Sequence, residues 1–191
     1  AGGVESMSRA PYSLPKAEGG FPFGNLTAFD TALGWRYPNP KMTALYGTDP
    51  MGITAENIAA EMGITREDQD AFAVESHRRA IAAIDSGRFI EEIIPVEIPQ
   101  KKGEVVVVST DERPRCDTTI ESLAKLKPAF KTDGSVTAGN SSGMNDGAAA
   151  ILLMSAEKAA MVGVKPLAKI IASASAGVEP RTMGYGPIPA V

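Results

Sequence analysis

The stretch Val136-Thr137-Ala138-Gly139-Asn140-Ser141-Ser142-Gly143-Met144-Asn145-Asp146-Gly147-Ala148-Ala149-Ala150-Ile151-Leu152-Leu153-Met154 constrains this chain more than any other. A short apolar piece enters a loop of small residues, and an apolar run long enough for a buried strand leaves it. Residues 139–147 include three glycines and two serines, so little side-chain bulk keeps a second body off the backbone. Hydroxyls and N–H groups would face that body as hydrogen-bonding partners. Spacing alone leaves two readings open: a tight connection inside an α/β domain, or a surface shaped for close approach.

Around this bend the pattern alternates helix and strand signals. Gly2-Gly3, Pro11 and Pro15 give a strand end or turn passing into a loop. Residues 15–40 hold Gly19-Gly20-Phe21-Pro22-Phe23-Gly24, then Phe29, Trp35, Tyr37, Pro38 and Pro40, which no long helix tolerates. Those aromatics either fold onto their own core or meet a neighbouring subunit. Thr54 is placed to cap a helix through Met62, ended by Gly63. Thr65-x-x-Asp68 opens a second helix to about Ser86, ended by Gly87. Its apolar arc is Phe72, Ala73, Ser76, Ala80, Ile81, Ala83 and Ile84, with Glu75, Arg78, Arg79 and Asp85 opposite. Ile90–Ile98 and Glu104–Ser109 predict a hairpin whose first strand Pro95 makes an edge or breaks. Thr118-x-x-Glu121 predicts a short helix to Leu126, and Lys131–Ser135 a turn. Ala148–Met154 reads as a strand, Ser155 as the cap of a helix to about Met161 stopped by Gly163, and Lys165–Ala174 as another strand.

At 191 residues this is one domain or two small ones. A hydrophobic content of 43% with 22% charged residues is that of a soluble globular protein. No run approaches the ~18 apolar residues of a membrane span, and no signal peptide opens the chain, so a cytoplasmic setting is expected. A net charge of −4 argues against a nucleic-acid partner. One cysteine excludes an internal disulfide, and one histidine excludes a two-histidine zinc motif. Neither a GxxxxGK phosphate loop nor a serine-hydrolase elbow is present. Gly184-Tyr185-Gly186 lacks the third glycine of a dinucleotide loop, and no helix signal follows it.

Thr137-Ala138-Gly139-Asn140-Ser141-Ser142-Gly143-Met144-Asn145-Asp146-Gly147-Ala148-Ala149-Ala150 resembles a signature of the thiolases, the acetyl-CoA acetyltransferases and 3-ketoacyl-CoA thiolases. Four further blocks agree in family order: Ala1–Ser8 with Ala10-Pro11-Tyr12; Met51–Asn57; Asp68–Ala73; and Met183–Ala190. The resemblance spans nearly the whole chain and implies an αβαβα fold of two similar halves, with a loop domain covering the active site. On that map residues 1–14 end a segment of the N-terminal half. Residues 15–142 form the loop or lid domain, 143–185 return two strands and a helix to the N-terminal half, and 186–191 begin the crossing to the C-terminal half. The fragment itself is α/β, with α+β character.

The same resemblance implies acyl transfer. A cysteine thiolate takes an acyl group from acyl-CoA, a second cysteine deprotonates acetyl-CoA, and a Claisen condensation or its reverse, thiolysis, follows. The blocks that carry both cysteines and the family histidine are not in this sequence, so none of its residues is expected to be catalytic and the isolated chain is expected to be inactive. Coenzyme A or acyl-CoA is implied as substrate, without a tightly bound cofactor or metal, in a homodimer or homotetramer. Arg115 and Ser122 match positions at the adenine end of coenzyme A. Met51, Ala129, Phe130, Ala138, Ser142, Gly143 and Met183 match the pantetheine channel, with Ser142 apt to hydrogen-bond an amide of that arm. Plain core packing is the alternative for Met51 and Phe130, a solvated charge for Arg115. Asp49-Pro50-Met51-Gly52 departs from the biosynthetic His-Met-Gly pattern and looks more like the 3-ketoacyl-CoA branch.

Cys116, between Arg115 and Asp117, could be mistaken for a nucleophile. It does not match the family's cysteine, and it reads as a small surface or core residue. His77 on its helix likewise reads as structural. A catalytically silent binding or oligomerisation module, motivated by the aromatics at 21–37, stands as the alternative function, and a thiolase-related CoA enzyme of altered chemistry as a third.

Overall fold

Glycine and alanine let two distant segments lie flat against each other, and the longest ribbon is built from them. The computed structural model describes residues 1–17, 19–20 and 23–191, so Phe21 and Pro22 of the aromatic stretch lie outside the described residues. In chain order the elements are β1 (Gly2–Glu5), a 3-10 turn (Met7–Arg9), β2 (Tyr12–Ser13), β3 (Phe29–Asp30), α1 (Pro40–Tyr46), α2 (Met51–Met62), α3 (Arg66–Asp85), β4 (Val96–Ile98), β5 (Val106–Val108), α4 (Ile120–Ala124), β6 (Gly147–Ala150), α5 (Ala156–Val162), a 3-10 segment (Pro180–Tyr185) and α6 (Pro187–Ala190). The architecture is mixed α/β, as the sequence predicts. The chain divides into two compact units, residues 1–58 with 144–191, and residues 59–143.

In the first unit β1 pairs antiparallel with β6, Gly2 opposite Ala150 and Glu5 opposite Gly147. A Cβ on Gly2 would come within 2.5 Å of the Ala149 carbonyl oxygen, so glycine is required there. Asp146 ties the ribbon's end: Ser8 donates to it from both its backbone N–H (2.8 Å) and its hydroxyl (2.6 Å). These bonds hold the Asp146 carboxyl below its ordinary range. β2 and β3 form a second short ribbon. On it Tyr37 meets Phe29 edge-on at 5.0 Å and shares a hydrogen bond with the Ser13 hydroxyl. Trp35 Nε1 donates to the Asp49 carbonyl. These aromatics attach to their own chain, whereas Phe23 is 98% exposed.

Helix α1 was not foreseen, although Asn39-Pro40 carries its signal: Asn39 accepts from Lys41 N and proline occupies the first helical position. Helix α2 begins at Met51 rather than beyond Thr54, because Pro50 supplies the first carbonyl acceptor and Thr54 turns its hydroxyl back onto Met51 O. Gly63 ends it with φ +65°, the conformation that glycine adopts without strain. α5 is capped by Ser155 and ended by a left-handed Gly163, as predicted.

Two strand expectations need correction. The run after the bend forms a ladder only over Gly147–Ala150, and Ile151–Met154 is exposed. Lys165–Ala174 is not a strand, and Ile171 is 81% exposed. A strand exists only where another presents a matching ladder of donors and acceptors, and no described segment does so here. A short helix, α6, also follows Gly186, where none was expected; its two prolines fall at positions whose N–H groups have no helical partner.

In the second unit α3 carries the predicted Thr65–Asp68 capping box and runs to Asp85, with Gly87 at φ +73°. The hairpin is present but trimmed: Pro95 breaks the first strand and pairing starts at Val96. α4 is capped one residue later than the sequence suggests, by Thr119 with Ser122 rather than Thr118 with Glu121.

Candidate functional site

The bend at 135–143 is held by a buried carboxylate. Asp70, on α3, is 3% exposed. Arg66 Nε donates to its Oδ2 at 2.8 Å, one turn earlier on the same helix, and Asn140 Nδ2 donates to its Oδ1 at 3.0 Å. The same Asn140 amide donates to Ser135 O, while its Oδ1 accepts from Thr137 N at 2.7 Å. Thr137 is fully buried, and its Oγ1 accepts from the N–H groups of Gly139 and Asn140. Arg66 extends the network by donating to the carbonyls of Leu123 and Leu126 at the end of α4. Gln69 donates to the Ser135 hydroxyl. Each polar group that leaves water here finds a partner, which is the condition for burying it at acceptable cost.

Packing fixes the bend from the other side. Leu123, Val136 and Ala73 are buried. A Cβ at Gly139 would fall 2.5 Å from both Leu123 Cδ2 and Leu126 Cδ1, so a larger residue there would force those side chains to shift. A Cβ at Gly143 would run into the Arg113 guanidinium, which lies across that residue. Ala129 N donates to Val136 O, bringing the Ala129–Phe130 segment beside the bend.

Of the sequence-predicted residues, Arg115, Ser122, Ala129, Phe130, Ala138, Ser142 and Gly143 belong to this second unit, and all seven are exposed. Phe130 is exposed. The Ser142 hydroxyl makes no hydrogen bond among the described residues and stands open at the end of the fixed bend. Ser122 is partly committed: its hydroxyl donates to Thr119 O and accepts from Thr119 N. Arg115 faces Asp117 at 3.3 Å, an exposed pair that holds the Asp117 carboxyl below its usual range.

Met51 and Met183 lie in the first unit, on adjoining elements. Asn57 of α2 donates to Arg181 O and to Asp49, and a Cβ on Gly184 would meet Ile58 Cδ1 at 2.7 Å. α2 thus seats against the 3-10 segment that bears Met183. Met51 is exposed rather than core.

His77 accepts the Arg115 backbone N–H on Nδ1 at 3.1 Å, so it positions the 113–117 loop. That bond goes to backbone, and the exposed Cys116 thiol gains no base from it. Among the described residues no His, Cys, Asp and Glu grouping could hold a metal, and no helix is long and apolar enough to cross a membrane. Sequence reasoning missed Asp70, Asn140 and Arg113. A lone aspartate one turn before Ala73 was the available signal for the first. The predicted arc included Ala73, which is buried, but also Phe72, which is 78% exposed: the buried face follows Arg66, Asp70 and Ala73.

Comparison with known proteins places this geometry. The family model described as thiolase, N-terminal domain, matches residues 1–157. A β-ketoadipyl-CoA thiolase of Acinetobacter baylyi is 58% identical over 192 residues, covering 100% of this chain and 47% of that protein. An acetyl-CoA acetyltransferase of Pseudomonas aeruginosa is 53% identical over 190 residues, again covering 100% and 47%. The crystal structure of the Bacillus anthracis acetyl-CoA acetyltransferase superposes with a TM-score of 0.81 at 46% identity, over 98% of this chain and 46% of that one. The chain spans about half the length of the curated relatives it matches.

Proposed function

Because this chain belongs to the thiolase family, we propose that it supplies the coenzyme A-binding wall, and the cover of the active site, of an acyltransferase that works on CoA thioesters. The reaction is the condensation of acyl-CoA with acetyl-CoA, or the thiolysis of a 3-ketoacyl-CoA. The names of its relatives make β-ketoadipyl-CoA the first substrate to try. Both reacting cysteines and the histidine belong to sequence blocks outside these 191 residues. This chain's contribution is to bind, orient and exclude water.

One observation carries the reading: an unengaged Ser142 hydroxyl stands beside the small residues Ala138 and Gly143 on a bend fixed through Asp70 and Asn140. A thread-like pantetheine arm needs such a surface: no bulk where it passes, and a hydroxyl held still where its amides come. Phe130 offers soft apolar contact. Ser122 keeps an acceptor lone pair for an adenine amino group, since Thr119 N takes only one. Arg115 can stack its face on the base while its edge stays on Asp117. Domain limits at 15–142 and 143–185, a homodimer or homotetramer with Phe23 open to a neighbouring subunit, and a cytoplasmic setting belong to the same proposal.

Ser142→Trp, made in the natural gene product that carries this sequence, is expected to raise KM for acetyl-CoA on the order of tenfold. Unchanged KM and kcat would remove the wall from this segment. Thiolysis of acetoacetyl-CoA by the purified 191-residue chain alone would equally overturn the assignment of catalysis elsewhere.

A further inference from the structure

We propose that Arg113 grips the diphosphate of coenzyme A. This inference rests on the CoA-wall reading and extends it to a residue which that reading leaves without a role. The Arg113 guanidinium lies across Gly143, with Nη2, Cζ and Nε all inside the space a Cβ would fill. Gly143 is the residue immediately after Ser142. Among the described residues the Arg113 side chain makes no hydrogen bond and no ion pair, and it is exposed. Asp111, two residues before it, spends an oxygen on the Arg113 backbone N–H at 2.9 Å, and the adjacent Glu112 makes no ion pair with it among the described residues. Arg115, by contrast, is already paired with Asp117. The unengaged guanidinium in this loop is therefore the one against the bend.

Its position interpolates between the two ends of the ligand. Ser142 faces the pantetheine arm, and Arg115, two residues after Arg113, faces the adenine. In coenzyme A the group covalently between pantetheine and adenosine is the diphosphate. A guanidinium supplies a planar fork of donors that matches two phosphate oxygens, and it stays charged at every physiological pH. Gly143 thus has a second use beyond the turn: it lets the cation lie flat, with its donors edge-on to a ligand running over the bend.

The test titrates the natural gene product with coenzyme A, dephospho-coenzyme A and pantetheine by calorimetry. Dephospho-coenzyme A keeps the diphosphate and loses the 3′-phosphate; pantetheine lacks both. Arg113→Ala is expected to weaken coenzyme A and dephospho-coenzyme A alike, by about five- to tenfold, and to leave pantetheine unchanged. Arg113→Lys should recover part of the loss, because the charge returns without the fork. Gly143→Ala keeps the charge but lifts it off the bend, and should reproduce the selectivity of Arg113→Ala. An equal loss on pantetheine would make Arg113 merely structural and overturn the proposal. A loss on coenzyme A but not on dephospho-coenzyme A would move the contact to the 3′-phosphate and also overturn it. If all three affinities survive Arg113→Ala while Ser142→Trp weakens them, the Arg113 proposal falls and the wall stands. If Ser142→Trp is silent as well, both fall.

Discussion

In residues 59–143 a carboxylate lies at the centre of the packing, with Arg66 and Asn140 satisfying both its oxygens and Thr137, Val136, Leu123 and Ala73 closed around it. Residues 1–58 and 144–191 are arranged the other way round. Their polar ties, such as Ser8 to Asp146, lie at the surface, while Ile151, Leu152, Leu153 and Ile171 stand in water. One unit has turned its backbone demands inward and shaped a bend with them. The other offers a two-stranded ribbon, and such a ribbon is marginal in water without a further strand or helix on its face. The bend proposed to meet the ligand belongs to residues 59–143, where the backbone leading to Ser142 is fixed before any ligand arrives.

This contrast can be broken by mutation. Asp70→Ala should have the largest effect, about 3 kcal/mol of lost stability, because it strands a partly buried guanidinium and the Asn140 amide together. Urea denaturation reads it, and a loss below about 0.5 kcal/mol would mean that the network decorates the unit rather than holding it. Thr119→Ala removes the cap of α4 and should cost about 1 kcal/mol in the same measurement.

The smallest effect belongs to the first unit and depends on pH. Ser8 holds the Asp146 carboxyl below 3.8, so its contribution is whole at neutral pH. It fades as the pH falls through 3.8 and on through the lower folded value, where the proton cancels the acceptor that Ser8 needs. Hydrogen-exchange protection factors, taken against the intrinsic rate at each pH, should fall at residues 2–5 and 147–150 over that acid range while those of α3 amides hold. Asp146→Asn should abolish the pH dependence, and acid sensitivity confined to the second unit would invert the comparison.

Much of the fold was legible because it is local. Thr65 with Asp68, Ser155 before α5, and glycines at 63, 87 and 163 act over three or four residues, and the sequence holds all of each device. Where two neighbouring threonines competed for one cap, Thr118 and Thr119, local reasoning chose the wrong one, because φ and ψ at the junction decide between them. The small-residue bend was legible for the same reason as the caps, and so were the exposed positions that line it. Asp70 was not. A charged residue on a helix is ordinarily placed on the wet side, and its burial here needs Asn140, seventy positions later, as well as Arg66 one turn away.

By itself, then, the sequence determined the caps of α3 and α5, the glycine stops at 63, 87 and 163, the hairpin, the bend and membership of a family whose ordered blocks run through it. Tertiary structure alone decided that β1 would find β6, that Lys165–Ala174 would remain unpaired, that Phe72 would face water while Asp70 did not, and that Arg113 would lie over Gly143. The division follows the range of the forces. Caps and turns close through hydrogen bonds to near neighbours, whereas pairing and burial need surface brought from far along the chain, and that surface is defined only once the whole has folded.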